Sequence, residues 1–95
     1  MNYQIIWDEK TREFLRKIDR KDAQRIIKKV NSIIENPRRY LDTLVSIEGY
    51  KLRVGDYRVL LDIDENKKMI NVLLVGLRKN IYKYLKKLKS FSKYK

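Results

Sequence analysis

Two strand-like segments, Tyr50 to Val54 and Tyr57 to Ile63, are separated only by Gly55-Asp56, and this spacing constrains the chain more than any other feature. A two-residue connection between runs of β-branched and aromatic residues leaves room only for a tight hairpin. The register then follows: Val54 faces Tyr57, Arg53 faces Arg58 and Leu52 faces Val59. Side chains alternate across a strand. Lys51, Arg53, Arg58, Leu60 and Asp62 therefore share one face, and Tyr50, Leu52, Val54, Tyr57, Val59, Leu61 and Ile63 share the other. The second set must cover a layer of helices, so the first is expected to lie open. Three cations cluster there, and like charges directly opposite one another destabilise a pair of strands. A face that tolerates them suits an anion, phosphate above all. The plain alternative is a solvated face partly offset by Asp62.

The rest of the chain supplies the helices. Tyr3 to Trp7 suits a first strand, after which Asp8 offers a helix cap and Phe14, Leu15 and Ile18 line one side of a short helix. Asp19 can cap a second helix, in which Ala23, Ile26, Ile27, Val30, Ile33 and Ile34 recur at three-and-four spacing until Asn36-Pro37. These stripes read as core packing, and the two helices as an antiparallel pair. Residues 38 to 48 show no period and read as a loop. Met69 to Gly76 forms a third late strand, nearly all apolar, as expected of a central strand buried on both faces. A lysine-rich helix with Ile81, Tyr84, Leu85 and Leu88 on one side follows. The order of strand, two helices, three strands and helix predicts an α+β fold, a mainly antiparallel sheet with a helical hairpin packed on one face.

The 95 residues suffice for one domain, spanning 1 to 95. There is no cysteine and no histidine, which excludes disulfides and thiolate or imidazole metal sites and removes the commonest general base. Catalysis must then use Lys, Arg, Tyr or carboxylates, and no cofactor or metal is expected. The start of the chain lacks a signal peptide's apolar core and no run is long enough to span a membrane, so a cytoplasmic location is expected. The net charge of +12 is concentrated at one end. Residues 1 to 65 hold 14 basic and 12 acidic residues, whereas residues 66 to 95 hold 10 basic residues and none that is acidic. Such a field attracts polyanions, and nucleic acid leads that class, ahead of an anionic membrane or an acidic protein. Arg78 leaves the last strand just before the helix and is expected to reach the concavity of the hairpin cations, with Tyr82 or Tyr84 placed to stack on a base.

The segment GYKLRVGDYRVLLDID, from Gly49 to Asp64, and the closing INVLLVGLRKNIYKYL, from Ile70 to Leu85, resemble the RelE/ParE superfamily of prokaryotic toxins, as does the order of elements. The resemblance covers essentially the whole chain. RelE-like members cleave mRNA in the ribosomal decoding site; ParE-like members share the fold, commonly lack the basic set and poison DNA gyrase. The basic set here is similar to that of RelE. By this resemblance Lys51, Arg58 and Arg78 match the family's active-strand lysine, the arginine after the hairpin tyrosine and the arginine of a Gly-x-Arg motif. Tyr84 matches the family's terminal tyrosine, with Tyr82 as the alternative, and Arg53, Lys79, Tyr82 and Lys83 would contact RNA. A second lysine that RelE places two residues before Lys51 is Gly49 here, which leaves the general base open.

What the resemblance implies is a ribosome-dependent endoribonuclease in which a ribose 2′-hydroxyl attacks the adjacent phosphate, leaving a cyclic phosphate and a free 5′-hydroxyl. Guanidiniums at Arg58 and Arg78 would stabilise the charge that develops on phosphate oxygens. A lysine among cations holds its proton less tightly, which would fit Lys51 to act as the base. The implied partners are mRNA in the decoding site and an acidic, RelB-like antitoxin, with a toxin–antitoxin heterotetramer as the expected assembly. The antitoxin is expected to wrap the C-terminal helix, drawn by charge and held by Ile81, Leu85 and Leu88.

Overall fold

The computed structural model describes residues 3–43, 49–81 and 83. Strand β1 (Gln4–Trp7) leads into helices α1 (Glu9–Lys17) and α2 (Arg20–Ser32). Both helices start where a short acidic side chain can satisfy a free backbone amide. Asp8 accepts from the Lys10 amide at 3.2 Å and Asp19 from the Lys21 amide at 2.8 Å, as the sequence implies. The chain then forms a one-turn helix, α3 (Pro37–Tyr40), and a two-residue strand, β2 (Asp42–Thr43), within the stretch expected to be a loop. Pro37 starts that turn rather than merely stopping α2: its fixed φ suits a first helical position, where no amide is needed. Strands β3 (Tyr50–Val54), β4 (Tyr57–Asp64) and β5 (Met69–Leu77) follow, and residues 78–81 are helical.

The five strands lie in the order β1-β5-β4-β3-β2. Three pairings are antiparallel, and β1 runs parallel to β5, which the α1–α2 crossover makes possible. The β3–β4 register is the expected one: Val54 with Tyr57, Arg53 with Arg58 and Leu52 with Val59. Gly55 adopts φ +58° while Asp56 does not have a positive φ. Glycine first and a conventional residue second is the pattern of a type II′ turn, whose twist matches the flanking strands.

The core lies between the sheet and α1–α2. Ile26, Val30 and Ile33 meet Leu52, Val54, Val59, Leu61, Ile70, Val72 and Val75, with Phe14, Leu15 and Ile18 of the α1 region packed at its margin. Each such side chain taken fully from water contributes about 1.5–3 kcal/mol, before entropy is subtracted. Strand β5 departs from simple alternation. Leu60 pairs with Leu74 but Leu61 pairs with Val72, so Leu73 is an extra residue in β5. The bulge shifts the phase, letting Ile70, Val72 and then Val75 all join the core while Leu73 is 36% exposed. The continuous apolar run thus marks a central strand with a bulge, not one buried evenly on both faces.

A second correction concerns Leu60, which alternation puts on the face expected to be open. It is fully buried, as is Ile81, and both lie outside the core cluster under α1 and α2. The far face of the sheet is therefore partly covered. No helix among the described residues is long and apolar enough to cross a membrane.

Candidate functional site

On the far face the strand pairings arrange side chains in rows across β3, β4 and β5. One row holds Arg53, Arg58 and Gly76; the next holds Lys51, Leu60 and Leu74. Directly opposed residues in such a row have Cβ atoms about 5 Å apart. Arg53 and Arg58 are thus forced together by the two-residue turn, and Gly76 contributes no side chain beside them. Gly76 is itself buried, in keeping with a strand glycine at a place of close approach. Lys51 has Leu60 on one side and Asp42 of β2 directly opposite on the other. The face expected around Lys51 held Arg53 and Arg58 with Asp62 as partial offset; the structure adds a second carboxylate, Asp42, because β2 forms where a loop was expected.

The hairpin tip collects the remaining parts. Arg58 folds back over the turn, its Nη1 donating to the Gly55 and Tyr57 carbonyls, each at 2.8 Å. Its Nε and Nη2 hydrogens, three of the five guanidinium donors, make no protein hydrogen bond among the described residues. Arg78 is tethered to the same turn, since its backbone amide donates to the Asp56 carbonyl at 2.7 Å. Arg78 and Lys79 are exposed and, with Asp56 and Leu77, border an open concavity of about 520 Å³. Arg53 instead borders a separate groove against α2. The expected single concavity of four cations is thus divided among the described residues, with Arg58 and the turn between its two parts. Lys83 is exposed, and Tyr82 and Tyr84 lie outside the described residues.

Tyr57 explains why the hairpin sits firmly on the helices. Its hydroxyl donates to Asp22 of α2 at 3.0 Å and its ring meets Phe14 edge-on, with centroids 6.2 Å apart. Loss of solvent raises the Tyr57 phenol above its ordinary pKa, and the hydrogen bond to Asp22 adds to this. Sequence reasoning placed Tyr57 on the helix-facing side but did not find Asp22, because a contact between α2 and the hairpin leaves no local periodic trace.

The charges at the two ends of the sheet are handled differently. At the β4–β5 turn Glu65 receives Arg38 at 2.7 Å, Lys68 at 3.5 Å and the Tyr3 hydroxyl at 2.8 Å. The Arg38 hydrogen bond, followed by that of Tyr3, holds the Glu65 carboxyl below its usual pKa. Both ion pairs among the described residues converge on Glu65, and none involves a cation of the hairpin, of Arg78 or of α2. The cations at the hairpin end are thus available to an outside anion.

A sequence model of the ParE toxin of the type II toxin–antitoxin system parDE matches residues 5–82. The chain belongs to this toxin family. It is accordingly a toxin of a toxin–antitoxin system, within the RelE/ParE superfamily to which the hairpin and Gly-x-Arg segments pointed. The toxin is similar in structure to a free-state mutant of Escherichia coli RelE, with a TM-score of 0.75 and 25% identity over 95% of this chain and 98% of that one. The toxin–antitoxin complex RelBE2 of Mycobacterium tuberculosis also matches, with a TM-score of 0.75 and 20% identity over 81% of this chain and 99% of that chain. So does an archaeal RelE–RelB complex from Pyrococcus horikoshii, at TM-score 0.67 and 19% identity, covering 82% and 97%. No curated protein matches the toxin in sequence.

Proposed function

We propose that the toxin is a RelE-like endoribonuclease that cuts mRNA on the ribosome by attack of a ribose 2′-hydroxyl on the adjacent phosphate. The observation that carries this proposal is that Arg58 and Arg78 are both fastened to the hairpin turn, Arg58 by its side chain and Arg78 by its backbone amide. The Arg58 and Arg78 guanidiniums would offer forked donors to a phosphate whose charge rises in the transition state. Lys51 is the candidate base on the neighbouring row, and Lys79 and Lys83 would hold the RNA backbone. Without histidine, the site depends on something else to bend the substrate into line, a role the ribosome would fill. An acidic antitoxin is the proposed partner, consistent with the antitoxin-bound forms among the structural matches.

Primer extension on a translated message after induced expression tests the proposal. New mRNA 5′ ends within the reading frame are expected. A second reading follows from the description of the matching family as ParE: a protein-directed toxin acting on DNA gyrase. Intact mRNA together with accumulated gyrase-cleaved DNA would establish that reading instead.

A further inference from the structure

Helix α2 carries its core residues Ala23, Ile26 and Val30 on one side and Arg25, Lys28, Lys29 and Ser32 on another, at i, i+3, i+4 and i+7 spacing. Those four residues, with Arg53, Val54 and Gly55, line an open groove of about 370 Å³. Strand β2 pairs only with Tyr50 and Lys51, so the outer edge of β3 is uncovered from Leu52 onward among the described residues. That gap lets Arg53, from the far face, border a groove otherwise built by α2. The Arg25 guanidinium lies so close against Gly55 that a Cβ there would overlap it. The flexible end of Arg25 could move aside, so it is the positive φ that calls for glycine at this turn.

Among the described residues, four cations line the groove and no carboxylate does. A solvated helix face usually intersperses both signs, and Arg25 and Lys29 at i,i+4 repel each other. Val54, 5% exposed, is the one apolar residue among those lining it, and the rest of its apolar surface is the methylene stems of the cations, which offer no pocket for an anchor. A bound acidic peptide would want apolar anchors to fill, and a membrane surface would want apolar side chains to insert. Phosphates need neither, only dense and accessible positive charge. The groove and the Arg78 concavity meet at the turn, Gly55 bordering one and Asp56 the other.

We propose that α2 and the β3 edge form a second RNA-backbone groove, independent of base sequence, which grips RNA beyond the segment at Arg58 and Arg78. This builds on the RNA-directed reading above but not on cleavage. The toxin would hold its target across the hairpin tip, with Arg25, Lys28, Lys29 and Arg53 on one side and Arg78 and Lys79 on the other.

The test is binding of an uncleavable 2′-O-methyl RNA strand to the full chain across a range of salt concentrations. The variant K28Q/K29Q is compared with K10Q/K17Q, which removes the same charge from α1, after thermal melting confirms that both are folded. For a single strand, the slope of log affinity against log salt falls by about 0.7 for every phosphate the protein no longer neutralises, so K28Q/K29Q should lower it by about 1.4. K10Q/K17Q should lower it clearly less. Equal effects of the two pairs, or a wild-type slope for K28Q/K29Q, would overturn the groove. A polyglutamate peptide whose binding is weakened more than that of RNA by K28Q/K29Q would overturn it in favour of an acidic protein partner. Loss of RNA binding in K28Q/K29Q from a toxin that cuts no message would uphold the groove while the cleavage proposal falls.

Discussion

Arg58 and Arg78 differ in how they are held, and the difference bears on how each responds to mutation. Arg58 is fastened by its own side chain to two carbonyls, whereas Arg78 is fastened by its backbone and leaves its side chain to the site. Arg58→Ala and Arg78→Ala should each lower the rate of mRNA cleavage on ribosomes by about 10²–10³, in line with loss of one preorganised donor. Single-turnover rates check this, and wild-type rates in either variant would remove that arginine from the site. Tyr57 gives a stability prediction. Its phenol has a raised pKa in the folded state, so the native protein holds that proton more tightly than the unfolded chain does. The corresponding stability is fully present below the ordinary tyrosine pKa, near 10, and is lost as pH rises through the folded value. Tyr57→Phe should cost about 1 kcal/mol at neutral pH through loss of the hydrogen bond to Asp22 and should flatten this alkaline fall. Urea melts at neutral and alkaline pH would show both effects; an unchanged alkaline slope would mean that another group produces it.

The hairpin is the element on which the site is built, and its turn is the sensitive part. Gly55 combines a positive φ with the Arg25 guanidinium packed against it. Gly55→Ala should therefore destabilise the fold by about 1–2 kcal/mol from backbone strain, while the flexible end of Arg25 moves aside at little further cost. Asp56→Ala is the informative contrast, because Asp56 holds Arg78 through its main-chain carbonyl and its side chain makes no hydrogen bond among the described residues. That variant should stay within about 0.5 kcal/mol of wild type. Chemical denaturation of the two variants checks the pair, and equal losses would show that the turn is not held as described. The hairpin's register was legible from two residues of spacing. The bulge at Leu73 was not, because an inserted apolar residue in an apolar strand leaves no mark in the pattern.

At the scale of the whole molecule, among the described residues, paired charge lies at the Glu65 end of the sheet and positive charge without an ion pair at the hairpin end. An acidic antitoxin should be drawn to the hairpin end, where association is fastest and the proposed site can be covered. Hydrogen exchange on the toxin alone and with an acidic antitoxin that binds it should show added protection at residues 51–58 and 78–81. Unchanged protection in both segments would place inhibition elsewhere. The Glu65 cluster predicts a smaller effect of pH. Its lowered carboxyl stabilises the fold above the usual glutamate pKa and loses that contribution as pH falls through the folded value. Glu65 and both its cationic partners are solvent-exposed, so the effect should be modest and weaken with salt. Acid titration of Glu65→Gln against wild type checks it.

The chain's own pattern was enough to determine the α+β class, the caps at Asp8 and Asp19, the helix-facing stripes and the pairing of Arg53 with Arg58. Each depends on contacts a few residues apart or on alternation along a strand, and such periodicities are local. The tertiary structure alone decided the parallel β1–β5 pairing, the carboxylate of Asp42 opposite Lys51, the burial of Leu60 and the tether from Arg78 to Asp56. It also split the hairpin cations between two surfaces, sending Arg53 toward α2 and leaving Arg78 with Lys79. These facts join residues that are distant in the chain and are set by how the sheet is ordered and where its edge ends, which no local periodicity encodes.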